Sequence, residues 1–133
     1  MNASLPIRRS ASAIDSLDIV RPMLRAEGLV VGVAGLVGYA QLGGDWLWLV
    51  PLLLVPDLSL LGYLAGPAVG ALVYDLTHNL VLGIGLVAVG LGLGVAGPAV
   101  LGSVLVAHVG LDRLAGYGLK HPTGFRDTHL QRA

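Results

Sequence analysis

The chain of 133 residues is 55% hydrophobic and only 12% charged, against about 25% charged residues in typical soluble domains. It contains no cysteine, which excludes disulfide frameworks, thiol nucleophiles and cysteine-ligated metal sites. The formal net charge is zero, so the sequence offers no broad basic surface for nucleic acid. These proportions indicate a membrane protein of a single domain.

The basic residues are confined to the two ends of the chain. No arginine or lysine occurs between Arg25 and Arg113. A cation at the centre of a bilayer costs roughly 2.5–3.5 kcal/mol on insertion scales, whereas a soluble fold has no reason to exclude cations over such a distance. The distribution therefore places the whole region between these two arginines in the lipid bilayer.

The apolar region divides into four spans of about 20 residues, the length of a transmembrane helix. They cover residues 23–42, 46–65, 68–91 and 98–117, with turns rich in glycine and proline between them. Short connections make neighbouring helices antiparallel. The sequence thus predicts an all-α polytopic membrane protein, an antiparallel four-transmembrane-helix bundle over 23–117. Residues 1–22 and 118–133 are predicted to be cytoplasmic tails, because basic segments remain in the cytoplasm.

Glycine pairs spaced four residues apart predict close helix packing. Gly28 and Gly32 form one such pair, and Gly66 and Gly70 form another. Small residues at this spacing let the backbones of two membrane helices approach each other. We expect the pairs to pack helices within one bundle, with a homo-oligomer through the glycine-rich faces as the alternative.

Ionisable residues inside the predicted spans are the most informative feature of the sequence. Such groups are costly in a membrane and usually functional. At a rise of about 1.5 Å per residue, those on the second, third and fourth spans lie roughly 6–16 Å from the end of the bundle that carries the termini. The six residues are Glu27, Asp57, Asp75, His78, His108 and Asp112.

Four carboxylates and two imidazoles match the ligand set of a dimetal carboxylate bundle. Glu27 and Asp57 are the predicted single ligands, while Asp75 pairs with His78 and His108 pairs with Asp112. A single zinc ion with two histidines, one carboxylate and an open water position is the simpler version. We expect zinc, iron or manganese and neither a nucleotide nor haem, with Asp112 or Glu27 as a further ligand or general base.

The favoured hypothesis is a metal-dependent hydrolase that acts on a lipophilic small-molecule substrate at the cytoplasmic half of the bundle. Its predicted catalytic residues are Asp57, Asp75, His78, His108 and Asp112. A second hypothesis is a metal-free isomerase, cyclase or epoxide-opening enzyme, in which an Asp–His pair performs acid–base chemistry. A third is a proton-coupled small transporter, since buried acids and histidines also build proton relays, and a fourth is a subunit of a larger membrane complex. The bilayer is the expected partner in every case, and nucleic acid in none.

Several short motifs resemble a known family. They include Tyr74-Asp75-Leu76-Thr77-His78-Asn79 and His108-Val109-Gly110-Leu111-Asp112-Arg113, followed by Pro122-Thr123-Gly124-Phe125. Together with Pro56-Asp57, they resemble the domain-of-unknown-function 4260 family of small bacterial membrane proteins. The resemblance implies a compact four-helix fold in the bacterial inner membrane, and no function. A weaker likeness, through Pro56-Asp57 and Thr77-His78, is to membrane-bound metal-dependent hydrolases.

The sequence supports two conflicting predictions for the C-terminal tail. Its polar composition predicts that His121 and His129 are solvated. The family resemblance instead favours a tail in which Phe125 and His129 fold back over the mouth of the bundle.

Overall fold

The computed structural model describes the backbone of residues 19–132 and the side chains of residues 19–130, so the predicted N-terminal tail lies largely outside the described residues. Within this range the chain is helical. Its elements are α1 (Val20–Gln41), α2 (Trp46–Leu54), a 3₁₀ helix (Pro56–Ala65), α3 (Pro67–Thr77), α4 (Leu80–Leu93), α5 (Ala96–Ala115) and the short α6 (His129–Arg132).

These elements form four spans that are long and apolar enough to cross a membrane. The second span joins α2 to the 3₁₀ helix, the third joins α3 to α4, and α1 and α5 are the first and fourth. The observed spans are Val20–Gln41, Trp46–Ala65, Pro67–Leu93 and Ala96–Ala115. Each boundary lies within three residues of its prediction, so the four-helix membrane fold is confirmed.

Helix α5 is the centre of the bundle. In its most apolar window 44% of the residues are buried, against 11–22% in the other three spans. Its glycines let α1 approach at backbone distance, since a Cβ added to Gly110 would lie 2.2 Å from the Gly32 nitrogen. Gly28 likewise faces α5, where an added Cβ would lie 2.7 Å from the Leu114 nitrogen. The first predicted glycine pair therefore packs α1 against α5 within one chain.

The second and third spans are both interrupted partway through the bundle. Proline has no N–H to donate and disrupts the preceding helical turn, and α2 gives way to the 3₁₀ helix at Pro56. The third span breaks between α3 and α4 at His78 and Asn79. Irregular backbone at membrane depth occurs where it is covered by protein or lines a cavity, so these interruptions mark the part of the bundle with a specialised role.

Residues 116–132, here called the C-terminal segment, fold back onto the end of the bundle. Gly116 ends α5 with φ of 96°, a left-handed conformation that glycine adopts without steric cost. The segment then forms a small loop closed by an antiparallel bridge between Lys120 and Thr128. The His129 N–H also donates to the Leu119 carbonyl at 3.0 Å. The bundle end covered by this segment is called the tail end below.

Candidate metal centre

The break in the third span fixes the position of His78. Its backbone N–H still donates to the Tyr74 carbonyl at 2.8 Å, as the last turn of α3. Its ring Nδ1 also lies 3.0 Å from the Tyr74 oxygen. A carbonyl oxygen only accepts, so this contact favours a proton on Nδ1 and a lone pair on Nε2. The Thr77 hydroxyl lies 2.9 Å from the same Nδ1. Histidine ligands to metals are commonly oriented by such a contact.

Asn79 stabilises both sides of the same break. Its side-chain oxygen accepts a hydrogen bond from the Leu82 N–H at 2.9 Å and so caps the start of α4. Its amide nitrogen donates to the Asp75 carbonyl at 2.7 Å and to the Leu76 carbonyl at 2.9 Å. One side chain thus satisfies backbone groups that the interrupted helix leaves free. The adjacent His78 is held between two helices that cannot slide independently.

Two further elements bring a carboxylate and a second imidazole to His78. Asp57 lies in the first turn of the 3₁₀ helix, just after Pro56. His108 and Asp112 lie on α5, four residues apart and therefore on one face. We call Asp57, His78, His108 and Asp112 the Asp–His cluster.

The ring nitrogens of the cluster converge on its carboxylate oxygens. The Nε2 atoms of His78 and His108 each lie 3.5 Å from Asp57 Oδ1. The same two nitrogens lie 3.9 Å and 3.6 Å from Asp112 Oδ2. The two imidazole rings meet edge to face, with centroids 4.9 Å apart. Three different spans therefore contribute to one point inside the bundle.

The burial of these groups is uneven. The side chains of His78 and His108 are only 2% and 8% exposed, whereas that of Asp57 is 41% exposed and that of Asp112 is 25% exposed. Both Nε2 atoms are buried without a hydrogen-bond partner. Buried polar atoms normally have such a partner, so the two nitrogens point to a ligand between them. Asp57 forms the accessible edge of the cluster.

The distances suit a shared cation better than direct hydrogen bonds. Separations of 3.5–3.9 Å exceed the range of about 2.7–3.2 Å for an N–H···O bond. A tetrahedral zinc ion with bonds of about 2.0–2.2 Å separates its ligand atoms by about 3.3–3.6 Å. One ligand atom is available from each of Asp57, His78 and His108, and these three atoms lie within 4.8 Å of one another. The described residues therefore include a buried Asp–His–His group that could hold a metal ion.

Asp112 has an additional partner in Tyr74. The tyrosine hydroxyl donates to Asp112 Oδ2 at 2.9 Å, and the Tyr74 ring stacks on His78 at a centroid distance of 3.7 Å. A small space beside these residues, also lined by Gly118 and Leu119, has room for about one water molecule. Asp112 is thus positioned next to the other three residues with a free space beside it.

Two predicted ligands lie away from this group. Asp75 is directed to the C-terminal segment, where its Oδ1 accepts a hydrogen bond from the Lys120 N–H at 2.7 Å. Glu27 is exposed on α1, because the neighbouring Gly28 faces α5 and turns Glu27 towards the outer surface. The structure brings together four of the six predicted residues and separates these two from them.

The C-terminal segment covers the tail end above the cluster. The ring of Phe125 meets that of Tyr63 edge to face at 5.3 Å. His129 Nδ1 accepts a hydrogen bond from the Leu119 N–H at 2.9 Å. The prediction that Phe125 and His129 fold back is confirmed, and the prediction of a solvated His129 is wrong. Polar composition missed this because the segment forms its own hydrogen-bonded loop.

Lys120 was not among the predicted site residues. It is 7% exposed, and its Nζ donates to the Phe125 carbonyl at 2.8 Å. The same nitrogen lies 3.8 Å from the centre of the Phe125 ring and 4.6 Å from that of Tyr74. Burial lowers the pKa of Lys120, while the charges of Asp112 and Asp75 oppose that shift. Sequence analysis missed Lys120 because the burial of one lysine against two aromatic rings produces no periodic pattern in the sequence.

A protein-family model described as Domain of unknown function (DUF4260) matches residues 21–133. The chain belongs to the DUF4260 family. The match covers all four spans and the C-terminal segment, so the cluster and its cover both lie within the family's domain. No curated protein and no solved structure matches the chain. Membership in DUF4260 assigns no activity, so the Asp–His cluster is the feature that bears on function.

Proposed function

We propose that this DUF4260 protein is a metal-dependent hydrolase of the bacterial cytoplasmic membrane that acts on a lipophilic substrate. The observation that carries the proposal is the pair of buried Nε2 atoms, both 3.5 Å from Asp57 Oδ1 and both without a hydrogen-bond partner. Two carboxylates inside a membrane span carry a large desolvation cost. A divalent cation held by Asp57, His78 and His108 would offset part of that cost and satisfy both nitrogens.

The donor set favours zinc, with iron or manganese as the other candidates. Imidazole nitrogens and carboxylate oxygens are common ligands of all three ions. Two histidines and one carboxylate with an open fourth position are typical of catalytic zinc sites. Asp57, His78 and His108 would hold the ion, and Asp112, whose Oδ2 lies 3.9 Å and 3.6 Å from the two Nε2 atoms, would border the open fourth position.

A metal held by these residues would supply chemistry suited to hydrolysis at neutral pH, because such ions lower the pKa of water to about 7. Asp112 would accept a proton from the attacking water as its oxygen adds to the carbonyl carbon of an ester or amide. Asp112 would return that proton to the departing oxygen or nitrogen as the bond from the carbon to the leaving group breaks. Tyr74, which donates to Asp112 Oδ2, keeps the carboxylate directed towards the cluster.

The orientation of the protein follows from charge. Arg21 and Arg25 at the start of α1, together with Arg113 near the end of α5, lie at the tail end. Arg25 Nε donates to the Leu114 carbonyl at 2.8 Å, which joins these two ends. Under the positive-inside rule the tail end faces the cytoplasm. The Asp–His cluster would then lie in the cytoplasmic half of the membrane.

Elemental analysis of the detergent-purified protein tests this proposal. We expect about one equivalent of zinc, iron or manganese in the wild type, lost in both His78→Ala and His108→Ala. His121→Ala is the matched control, because His121 lies in the C-terminal segment outside the cluster, and it should retain the metal. Circular dichroism and gel filtration would verify that each variant is folded.

Two results would contradict the proposal. One is full metal content in both folded histidine variants. The other is a folded wild type that binds no zinc, iron or manganese after reloading. Hydrolysis of a panel of lipophilic esters and amides that continues unchanged after complete chelation would instead favour metal-free acid–base chemistry by the same residues.

A further inference from the structure

The lining of an apolar cleft of about 210 Å³ includes Pro56, which immediately precedes Asp57 of the Asp–His cluster. Its walls come from α2, the start of the 3₁₀ helix, α4 and α5. Val55 and Pro56 line one side, Leu86 lines a second, and Leu101 and Leu105 line the third. All of these side chains are hydrocarbon, so the cleft offers no side-chain hydrogen bond to a polar ligand.

Two residues that line the cleft are close in sequence to residues of the cluster. Pro56 immediately precedes Asp57 in the chain, and Leu105 lies one helical turn before His108. Leu101 lies seven residues before His108, which places the far end of the cleft roughly 10 Å from the cluster along α5. Leu86 on α4 lies at a matching distance beyond His78. The cleft therefore extends from the cluster towards the opposite end of the bundle.

The most exposed carboxylate of the cluster belongs to the same 3₁₀ helix as Pro56. Asp57 has the most exposed side chain of the four, at 41%, and it follows directly on Pro56 in the cleft wall. A molecule in the cleft could therefore bring a polar head to Asp57 while its apolar part remained among the leucines. A different groove, lined by Gly38, Ile84 and Val106, includes no residue of the second span, which carries Asp57.

From this continuity we infer the substrate class: an amphiphile whose hydrolysable ester or amide lies at the Asp–His cluster and whose linear hydrocarbon chain occupies the apolar cleft. The inference rests on the proposed metal-dependent function. A hydrocarbon chain suits the cleft because its lining side chains are apolar, and burial of methylene groups is the interaction that such a lining supplies. The partly exposed Leu101 and Val55 let the chain enter sideways from the bilayer.

Binding of alkyl hydroxamates to the cobalt-loaded protein tests the inference. A hydroxamate binds the metal and changes the visible spectrum of Co²⁺, so affinity is measured without knowledge of the natural substrate. Acetohydroxamate reports on the metal centre alone, and dodecanohydroxamate reports on the centre and the cleft together. Leu105→Trp fills the cleft, while Leu111→Trp adds the same ring to an exposed position on α5 and is the matched control.

We expect Leu105→Trp to weaken dodecanohydroxamate binding by about tenfold, the loss of contact with about two methylenes. Its affinity for acetohydroxamate should not change, and Leu111→Trp should bind both probes like the wild type. Partitioning of the long chain into detergent is the same for all variants and cancels in the comparison. Leu101→Trp, at a half-exposed wall position, is the second variant should Leu105→Trp fail to fold.

The proposed function and the substrate class fail in different ways. If the wild type binds neither Co²⁺ nor acetohydroxamate, the proposed function is overturned and the substrate class with it. If Co²⁺ and acetohydroxamate both bind, but neither Leu105→Trp nor Leu101→Trp changes the ratio of the affinities for the two hydroxamates, the cleft holds no substrate chain. Only this inference is then overturned.

Discussion

The backbone N–H of Lys120 donates a hydrogen bond to Asp75 Oδ1 at 2.7 Å and so joins the C-terminal segment to the third span. This contact gives Asp75 a partner other than the metal that its sequence position predicts. Asp75 and the Asp–His cluster can therefore be tested separately, Asp75 for attachment of the C-terminal segment and the cluster for the proposed metal binding.

Replacement of Asp75 by alanine should release the C-terminal segment and leave metal binding intact. A hydrogen bond to a charged acceptor contributes about 1.5–3 kcal/mol, so amide hydrogen exchange across residues 116–130 should accelerate strongly. Asp75→Asn retains an acceptor oxygen and should show a smaller change. Loss of the metal from Asp75→Ala, with exchange in the segment unchanged, would restore Asp75 as a ligand.

The close approach of α1 and α5 predicts a sharp difference between two glycine substitutions. An added Cβ at Gly110 would lie 2.2 Å from the Gly32 nitrogen, whereas nothing lies within 4 Å of an added Cβ at Gly85. Gly110→Ala should destabilise the bundle by about 1–3 kcal/mol, the usual cost of overpacking. Gly85→Ala should stabilise α4 by about 0.5–1 kcal/mol.

Thermal unfolding in one detergent, followed by circular dichroism, compares these two variants directly. Equal melting temperatures for Gly110→Ala and wild type would show that the helices are farther apart than the structure places them. The same outcome would remove the reason for the outward direction of Glu27.

The positions of the spans could be predicted because bilayer thickness fixes helix length and lipid excludes charge. Depth along each helix also predicted which ionisable groups lie at one level, and Asp57, His78, His108 and Asp112 do meet there. Hydropathy reports the position of a residue along its span, and that position can be read without knowledge of the neighbouring helices.

Rotation about each helix axis could not be predicted in the same way. Asp75 and His78 lie three residues apart in the last turn of α3, yet Asp75 bonds to the Lys120 N–H of the C-terminal segment, a contact that their spacing does not report. Gly28 sets the face that α1 presents to α5, and this contact decides the direction of Glu27. The burial of Lys120 depends on a loop closed by long-range hydrogen bonds, for which local sequence gives no pattern.

The buried Lys120 predicts a stability change at alkaline pH. Burial lowers its pKa below the ordinary value of 10.5, so the unfolded state binds more protons between the lowered pKa and 10.5. Stability should therefore rise with pH across that window, as the penalty on the charged amine is relieved. At lower pH both states are protonated and the penalty remains in full.

Comparison with Lys120→Gln isolates this contribution, because glutamine does not titrate and every other ionisable residue is present in both proteins. The melting temperature of the wild type relative to Lys120→Gln should increase as pH is raised towards 10.5. If the melting temperatures of the two proteins instead change in parallel over that pH range, the Lys120 amine is exposed to water and the prediction is wrong.

Asn79 should act as a positioning residue for the metal centre. It caps α4 through the Leu82 N–H and donates to the carbonyls of Asp75 and Leu76, so it holds the neighbouring His78 at the break. Loss of groups that orient a metal ligand typically weakens metal affinity by about 10–100-fold. We expect Asn79→Ala to show that loss, together with about 1 kcal/mol of stability from the missing cap.

Asn79→Ser separates the two effects, because a serine hydroxyl caps a helix well but is too short to bridge both carbonyls of α3. The serine variant should recover most of the stability and little of the zinc affinity, measured by competition with a chromophoric chelator. A stability loss in Asn79→Ala with wild-type zinc affinity would show that Asn79 serves only the helix. Recovery of both properties in Asn79→Ser would assign the effect to the cap alone, since the amide donors to α3 would then be dispensable for the direction of His78.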